Sequence, residues 1–250
     1  MTSIPIALQL WSLRDDIAKD TPATLAAVAK MGYQGVETAG LGKYSPAEWA
    51  KMLGDNGLAV AGAHLGLNEV SPDNIEKTLD TYMAIGCKRL VVPYLGGEYT
   101  ASLDGYRRAC AKLNWAGAHC AERGVDFGYH NHDFEFRFVQ NRVPYMLMLD
   151  CLTTDVFTQF DFGWVYAAGI DGAALTRSLP GRVHTCHVKA FKKGEPTAVV
   201  GADSVPWKDV FAACEEVGGT QWYVVEHENY DGAPIDCVRQ CLDNLRAMGK

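Results

Sequence analysis

Hydrophobic positions recur along the first ninety residues in three segments with one shared grammar. Residues 21–32, "TPATLAAVAKMG", place Leu25, Val28 and Ala29 on one helical face between Thr21-Pro22 and Gly32. Residues 45–54, "SPAEWAKMLG", do the same with Trp49, Met52 and Leu53, and residues 71–86, "SPDNIEKTLDTYMAIG", with Ile75, Leu79, Tyr82 and Met83. A hydroxyl N-cap, proline at the first helical position, a 3.6-residue apolar period and a closing glycine predict three amphipathic helices. Ser45 with Glu48 adds a capping box. Short apolar runs lie between them: "GVETA", "LAVAGAH" and "KRLVVPY". The alternation continues with a helix over about 103–123 and strands in "VDFGYHNH", "DVFTQFDFG", "RVHTCHVKAF" and "WYVVEHE". Helices are expected near 173–179, 207–217 and 235–247. With "IPIALQL" at the start this makes eight strands and about eight helices, the grammar of parallel βαβ units. About 250 residues is the usual size of a closed (β/α)8 TIM barrel, read here as one domain over residues 1–250. A doubly wound sheet would want a G-x-G-x-x-G after the first strand, and the sequence has none there. Residues 133–143 interrupt the repeat. Phe134, Phe136 and Phe138 alternate with Glu135 and Arg137, which predicts a short ribbon past the rim, turned at Asn141-Arg142.

Composition narrows the function classes. Thirty acidic residues against 23 Lys and Arg give a net charge of −7, with no basic run beyond pairs such as Arg107-Arg108. A nucleic-acid partner would need a basic face. No window approaches eighteen continuous apolar residues, so no membrane span is expected. Eight cysteines form no CxxC pair, and several (Cys87, Cys110, Cys186, Cys214) sit in apolar segments, which suits reduced thiols and a cytoplasmic location. "MTSIPIALQLWSLRDD" reads as a first strand rather than a signal peptide. A small sugar is the expected partner, and a homo-oligomer is left open.

In a parallel barrel the chemistry gathers where strands end. Those ends carry Glu37, His64, the cluster from His130 to Glu135 within "GYHNHDFEF", Asp161, His187 with Lys189, and Glu226 with Glu228. Glu135, Asp161, His187 and Glu226, one from each of the last four strand ends, form a hard, oxygen-rich set for one divalent ion. Mn²⁺ is the first expectation, with Mg²⁺, Co²⁺ or Zn²⁺ as alternatives. Four protein ligands leave positions open for substrate oxygens. Each residue alone has a structural reading: Glu135 beside Arg137, Asp161 as a cap, His187 in the core, Glu226 paired with His227 or a neighbouring strand. Their joint occurrence at consecutive strand ends favours the site. Glu37, His64 and His132 are candidate hydroxyl-binding groups, and Lys189 suits a carbonyl, hydroxyl or phosphate. Trp164, and more weakly Trp11, offers a ring face for a sugar.

The chain resembles the xylose-isomerase-like barrels of the sugar phosphate isomerase/epimerase family. The resemblance runs through "ALQLWSLRDD", "GYQGVETAG", "GYHNHDFEF", "VPYMLML", "FDFGWVYAAG", "GRVHTCHVKAF" and "WYVVEHE". It implies that an ordered Glu, Asp, His and Glu hold one divalent metal and that the two glutamates flank the reacting carbon. By position these fall on Glu135, Asp161, His187 and Glu226, with His132 as the alternative to Glu135 on the fifth strand. Relatives commonly read His-x-Lys-Asp where this chain has "HVKA", so Ala190 stands in place of an acid. The implied reaction is isomerisation or epimerisation of a sugar or keto-sugar, by proton abstraction and a metal-stabilised enediolate. Elimination from an oxidised (3-keto) glycoside at the same site is the alternative. A multinuclear zinc nuclease on the same barrel would want more histidine ligands and a basic surface.

Overall fold

Strands buried on both faces need helices outside them and side chains within, and a closed ring supplies both. The computed structural model describes residues 3–250. Its strands are β1 (Ile6–Gln9), β2 (Gly35–Ala39), β3 (Ala59–His64), β4 (Arg89–Val92), β5 (Asp126–His130), β6 (Val156–Asp161), β7 (Thr185–Lys189) and β8 (Trp222–Glu226). They pair in parallel in chain order, and β1 closes on β8. This is the (β/α)8 barrel expected from the alternating pattern.

The interior is layered because side chains alternate along each strand. Ala7, Ala61 and Val224 form a small apolar floor, with Trp222 packed against it. Beyond it come polar groups, including Gln9 and Gln159, both donating to Glu37, and Thr185, which accepts from Gln159. The next inward positions are His130, Asp161, His187 and Glu226. The intervening residues (Tyr129, Phe160, Cys186 and Val225) face outward into the core beneath the helices.

Local signals are met where the cap is local. Ser45 and Glu48 form the capping box of helix Pro46–Asp55, and Gly32 ends helix Thr21–Met31 at φ 98°, a left-handed conformation glycine adopts without strain. At Thr21 the cap shifts by one residue, because Asp20 accepts the Ala23 N–H. The third segment differs more: residues 71–74 form turns, and the helix spans Ile75–Met83. There Asn74 Nδ2 bonds the Asn68 carbonyl and Ser71 Oγ, so these polar side chains hold the loop.

The expected ribbon over 133–143 is reduced to a single antiparallel bridge between Val139 and Arg142. Its tight turn falls at Gln140 and Asn141, both at positive φ. Before it, Phe134–Phe136 coil into one 3₁₀ turn, because burying Phe136 and Glu135 together breaks the two-residue alternation a ribbon would need.

Candidate metal centre at the barrel mouth

His130, Asp161 and Glu226 end β5, β6 and β8 on inward positions, His187 lies inward at the middle of β7, and each offers a ligand atom within 4.8 Å of the others. His187 Nδ1 lies 3.1 Å from Glu226 Oε2 and 4.0 Å from Asp161 Oδ2. Asp161 Oδ1 accepts the Trp164 backbone N–H at 2.9 Å and so caps helix Phe162–Ala167. Its Oδ2 is buried without a hydrogen-bond partner. Leaving such an oxygen unpaired costs about 1–3 kcal/mol or more for a charged group. A cation would supply the missing partner, and the donor set fits a divalent ion: two carboxylates and two imidazoles, of intermediate hardness.

Glu135 does not join this group. It lies past the end of β5 on the 3₁₀ turn, fully buried, accepting a hydrogen bond from Tyr129 Oη at 2.5 Å and from the His132 N–H at 2.9 Å. Tyr129 and His130 are neighbours on one strand and therefore point to opposite faces. Glu135 thus sits behind β5 with the outward tyrosines, and His130 occupies the fifth-strand place in the cluster. His132 does not take that place either; it lines the pocket above.

Glu37 also departs from the substrate-binding role expected of it. Its carboxylate is fully buried below the cluster and is surrounded by Gln9, His64, Gln159 and His187. His64 and His132 border a pocket of about 430 Å³ together with Trp11, Tyr94, His130, Glu226 and Glu228. Lys189 Nζ is held between Glu226, at 3.3 Å, and Glu228, and lies 5.0 Å from the Trp164 ring centre. Trp164 stands 6.0 Å from His132, ring to ring, as a wall of the mouth. Trp11 and Tyr94 are 47% and 58% exposed, leaving aromatic faces open at the rim. A second cavity, of about 530 Å³, lies on the flank beyond Tyr94 and contains none of the four clustered groups.

Sequence reasoning missed His130 as a cluster member and Gln9 and Gln159 as its supports. The available signal was parity: His130 is the last inward residue of its strand, as Asp161 and Glu226 are of theirs, and His187 has the inward parity of its own strand.

Burial makes each charge here costly, so pairing decides protonation. Burial lifts the Asp161 carboxyl to about 7, with Glu226 adding to the rise against Lys189 and His187. Burial pushes Glu226 the same way, but Lys189 and His187 outweigh it and hold it well below the carboxylate range. For His187 burial acts downward, yet Glu37 and Glu226 keep its imidazole up at about 10. His130 is held well below the ordinary histidine range by burial and by His187 and His64. Glu37 and Glu226 thus favour the protonated form of His187, and ligation of a cation through Nδ1 would require loss of that proton.

Comparison with known proteins agrees with this architecture. Among curated proteins no sequence matches. Two solved structures from Parabacteroides distasonis, each described as a sugar phosphate isomerase/epimerase, superpose over nearly the whole chain. One is 26% identical, with a TM-score of 0.84, covering 98% of both chains. The other is 23% identical, with a TM-score of 0.85, covering 99% of this chain and 95% of its own. A D-allulose 3-epimerase from Methylomonas sp. shares the fold at 15% identity, TM-score 0.75, over 98% and 97% of the two chains. The profile of the xylose isomerase-like TIM barrel matches residues 25–248. The chain belongs to the xylose isomerase-like TIM-barrel family.

Proposed function

We propose that the protein is a divalent-metal-dependent isomerase or epimerase of a sugar or keto-sugar, with His130, Asp161, His187 and Glu226 as the metal-binding residues. The observation that carries this reading is the partnerless buried Asp161 Oδ2 within a four-residue ligand set at the floor of an open pocket. When bound, a divalent ion supplies Lewis-acid stabilisation of negative charge on adjacent substrate oxygens. Glu226 is the base: it borders the pocket, and Lys189 and His187 keep it ionised, so it can take a proton from the carbon beside a carbonyl. His64 and His132 meet hydroxyl groups, and the exposed Trp11 and Tyr94 rings pack on the sugar faces. Lys189 keeps its ammonium beside the Glu226 carboxylate and screens it from the Glu228 charge. The ketose epimerases that share the fold make keto-hexoses the first compounds to try.

The position of Glu135 favours one-base chemistry. Inversion by two glutamates needs carboxylates on both faces of the substrate, and Glu135 lies behind the strand. One base serves proton transfer between neighbouring carbons. It also serves elimination from a 3-keto glycoside, for which His132 stands at the pocket edge within reach of a substrate oxygen. The test is to incubate the Mn²⁺-supplemented protein in D₂O with keto-hexoses, aldoses and 3-keto glycosides, followed by NMR. Solvent deuterium at one substrate carbon, with one product molecule formed, supports the isomerase. Two products support the lyase. No exchange in any substrate, or exchange unaffected by chelator, overturns the proposal.

A further inference from the structure

Glu37 is a buried acid that the proposed chemistry does not use. It comes from β2 and meets His187 on β7, 150 residues away in the chain. Its Oε2 accepts the His187 Nε2–H at 2.6 Å and the Gln9 amide at 2.8 Å, and His64 Nε2 is 3.1 Å away. Its Oε1 accepts the Gln159 amide at 2.7 Å.

The orientations of these partners are fixed. Gln9 Oε1 receives the backbone N–H of Trp11 at 3.0 Å, so the Gln9 amide nitrogen must face Glu37. Gln159 Nε2 also donates to Thr185 Oγ1 at 2.8 Å. The Glu37 carboxylate is thus enclosed by donors, without solvent exposure. The backbone makes room for it as well. The β2–β3 register shifts between Val36 and Glu37, and the facing residue is Gly62. A Cβ at position 62 would come within 2.7 Å of Glu37 Oε1, so only glycine admits the carboxylate in this place.

With its Nε2 held by Glu37, the His187 ring presents Nδ1 to Glu226 and Asp161. We propose that Glu37 is a positioning residue for His187, fixing its ring and tautomer so that Nδ1 is the metal-facing nitrogen. This inference rests on the metal-site reading above. It adds an acid from β2, three strands from β7 around the ring, to the determinants of metal affinity. A carboxylate behind a ligand histidine raises ligand basicity, and its loss typically weakens metal binding by about 10–100-fold.

The test combines Mn²⁺ calorimetry with ¹⁵N NMR of the Zn²⁺-loaded protein, on the wild type and on Glu37→Gln. The glutamine amide sets a donor against Gln9 and His187 or against Gln159, whichever way it turns. The expected result is an affinity drop of about 10–100-fold for Glu37→Gln. In the wild type, Nδ1 of His187 should be metal-bound and Nε2 protonated with a strong hydrogen-bond shift, which the variant loses. Mn²⁺ affinity within about twofold of wild type and unchanged His187 signals would overturn the proposal, against the loss a carboxylate partner normally causes. If the variant does not fold, the wild-type spectrum still decides, because metal on Nε2 of His187 is incompatible with the role assigned to Glu37. Failure of the wild type to bind Mn²⁺ overturns the metal reading itself and is distinct from either result.

Discussion

The two faces of β5 hold two acid-bearing regions that look alike in sequence and behave oppositely. In front, His130 meets Asp161, His187 and Glu226 around an oxygen that lacks a partner. Behind, Glu135 is satisfied by Tyr129 and the His132 amide, among buried Tyr106 and Tyr145. Both regions are buried, but only the front has unmet bonding capacity and an opening to solvent. Burial of acids is therefore a poor guide to chemistry by itself. An unsatisfied donor set beside an accessible pocket is the better sign.

The sharpest way to break this contrast is to neutralise each glutamate in turn. Glu226→Gln should lower turnover by a factor of about 10² or more, the usual worth of a general base, whereas Glu135→Gln should stay within a few-fold of wild type in steady-state assays. Reversal of that order would move the base behind the strand and sink the comparison.

Metal content separates the two regions next. His130→Ala and Asp161→Asn should each weaken Mn²⁺ binding by about tenfold or more, since each removes a donor that the ion would otherwise bind. His132→Ala and Glu135→Gln should leave it near wild type. Equilibrium dialysis with elemental analysis reads all four, and metal loss in Glu135→Gln alone would restore that glutamate as a ligand.

Stability against pH isolates the rear face. Burial raises the Glu135 carboxyl to about 7 from 4.5, opposed by the Tyr129 hydrogen bond. The folded chain then holds a proton between these values that the unfolded chain releases, so the Glu135 contribution falls as pH rises. Measured by urea unfolding, wild type should lose stability relative to Glu135→Gln between about pH 5 and pH 8, by at most about 3 kcal/mol. A flat difference would show that Glu135 is ionised throughout.

The smallest expected effect lies at the rim. Replacing Tyr94 by Ala removes one exposed ring from the pocket edge and should raise KM by a few-fold with kcat nearly unchanged, as loss of uniform binding does. A large fall in kcat would mean that Tyr94 orders the reacting groups as well as the sugar.

The sequence by itself determined the barrel. Apolar runs of strand length alternate with capped amphipathic helices, and chain length matches eight units, because both signals arise from neighbours within a few residues. It also marked Asp161, His187 and Glu226 as strand-end groups of one mouth. What it left to tertiary structure was direction. Past His130 the chain leaves the strand and the two-residue alternation ends, so whether Glu135 faces the mouth or the helices depends on how the 3₁₀ turn packs against Tyr129. Glu37 likewise ends on a strand in a plausible site position, yet its role follows from His187 and Gln159, 150 and 122 residues away. Such partners are chosen by barrel closure and register, which no local pattern of residues records.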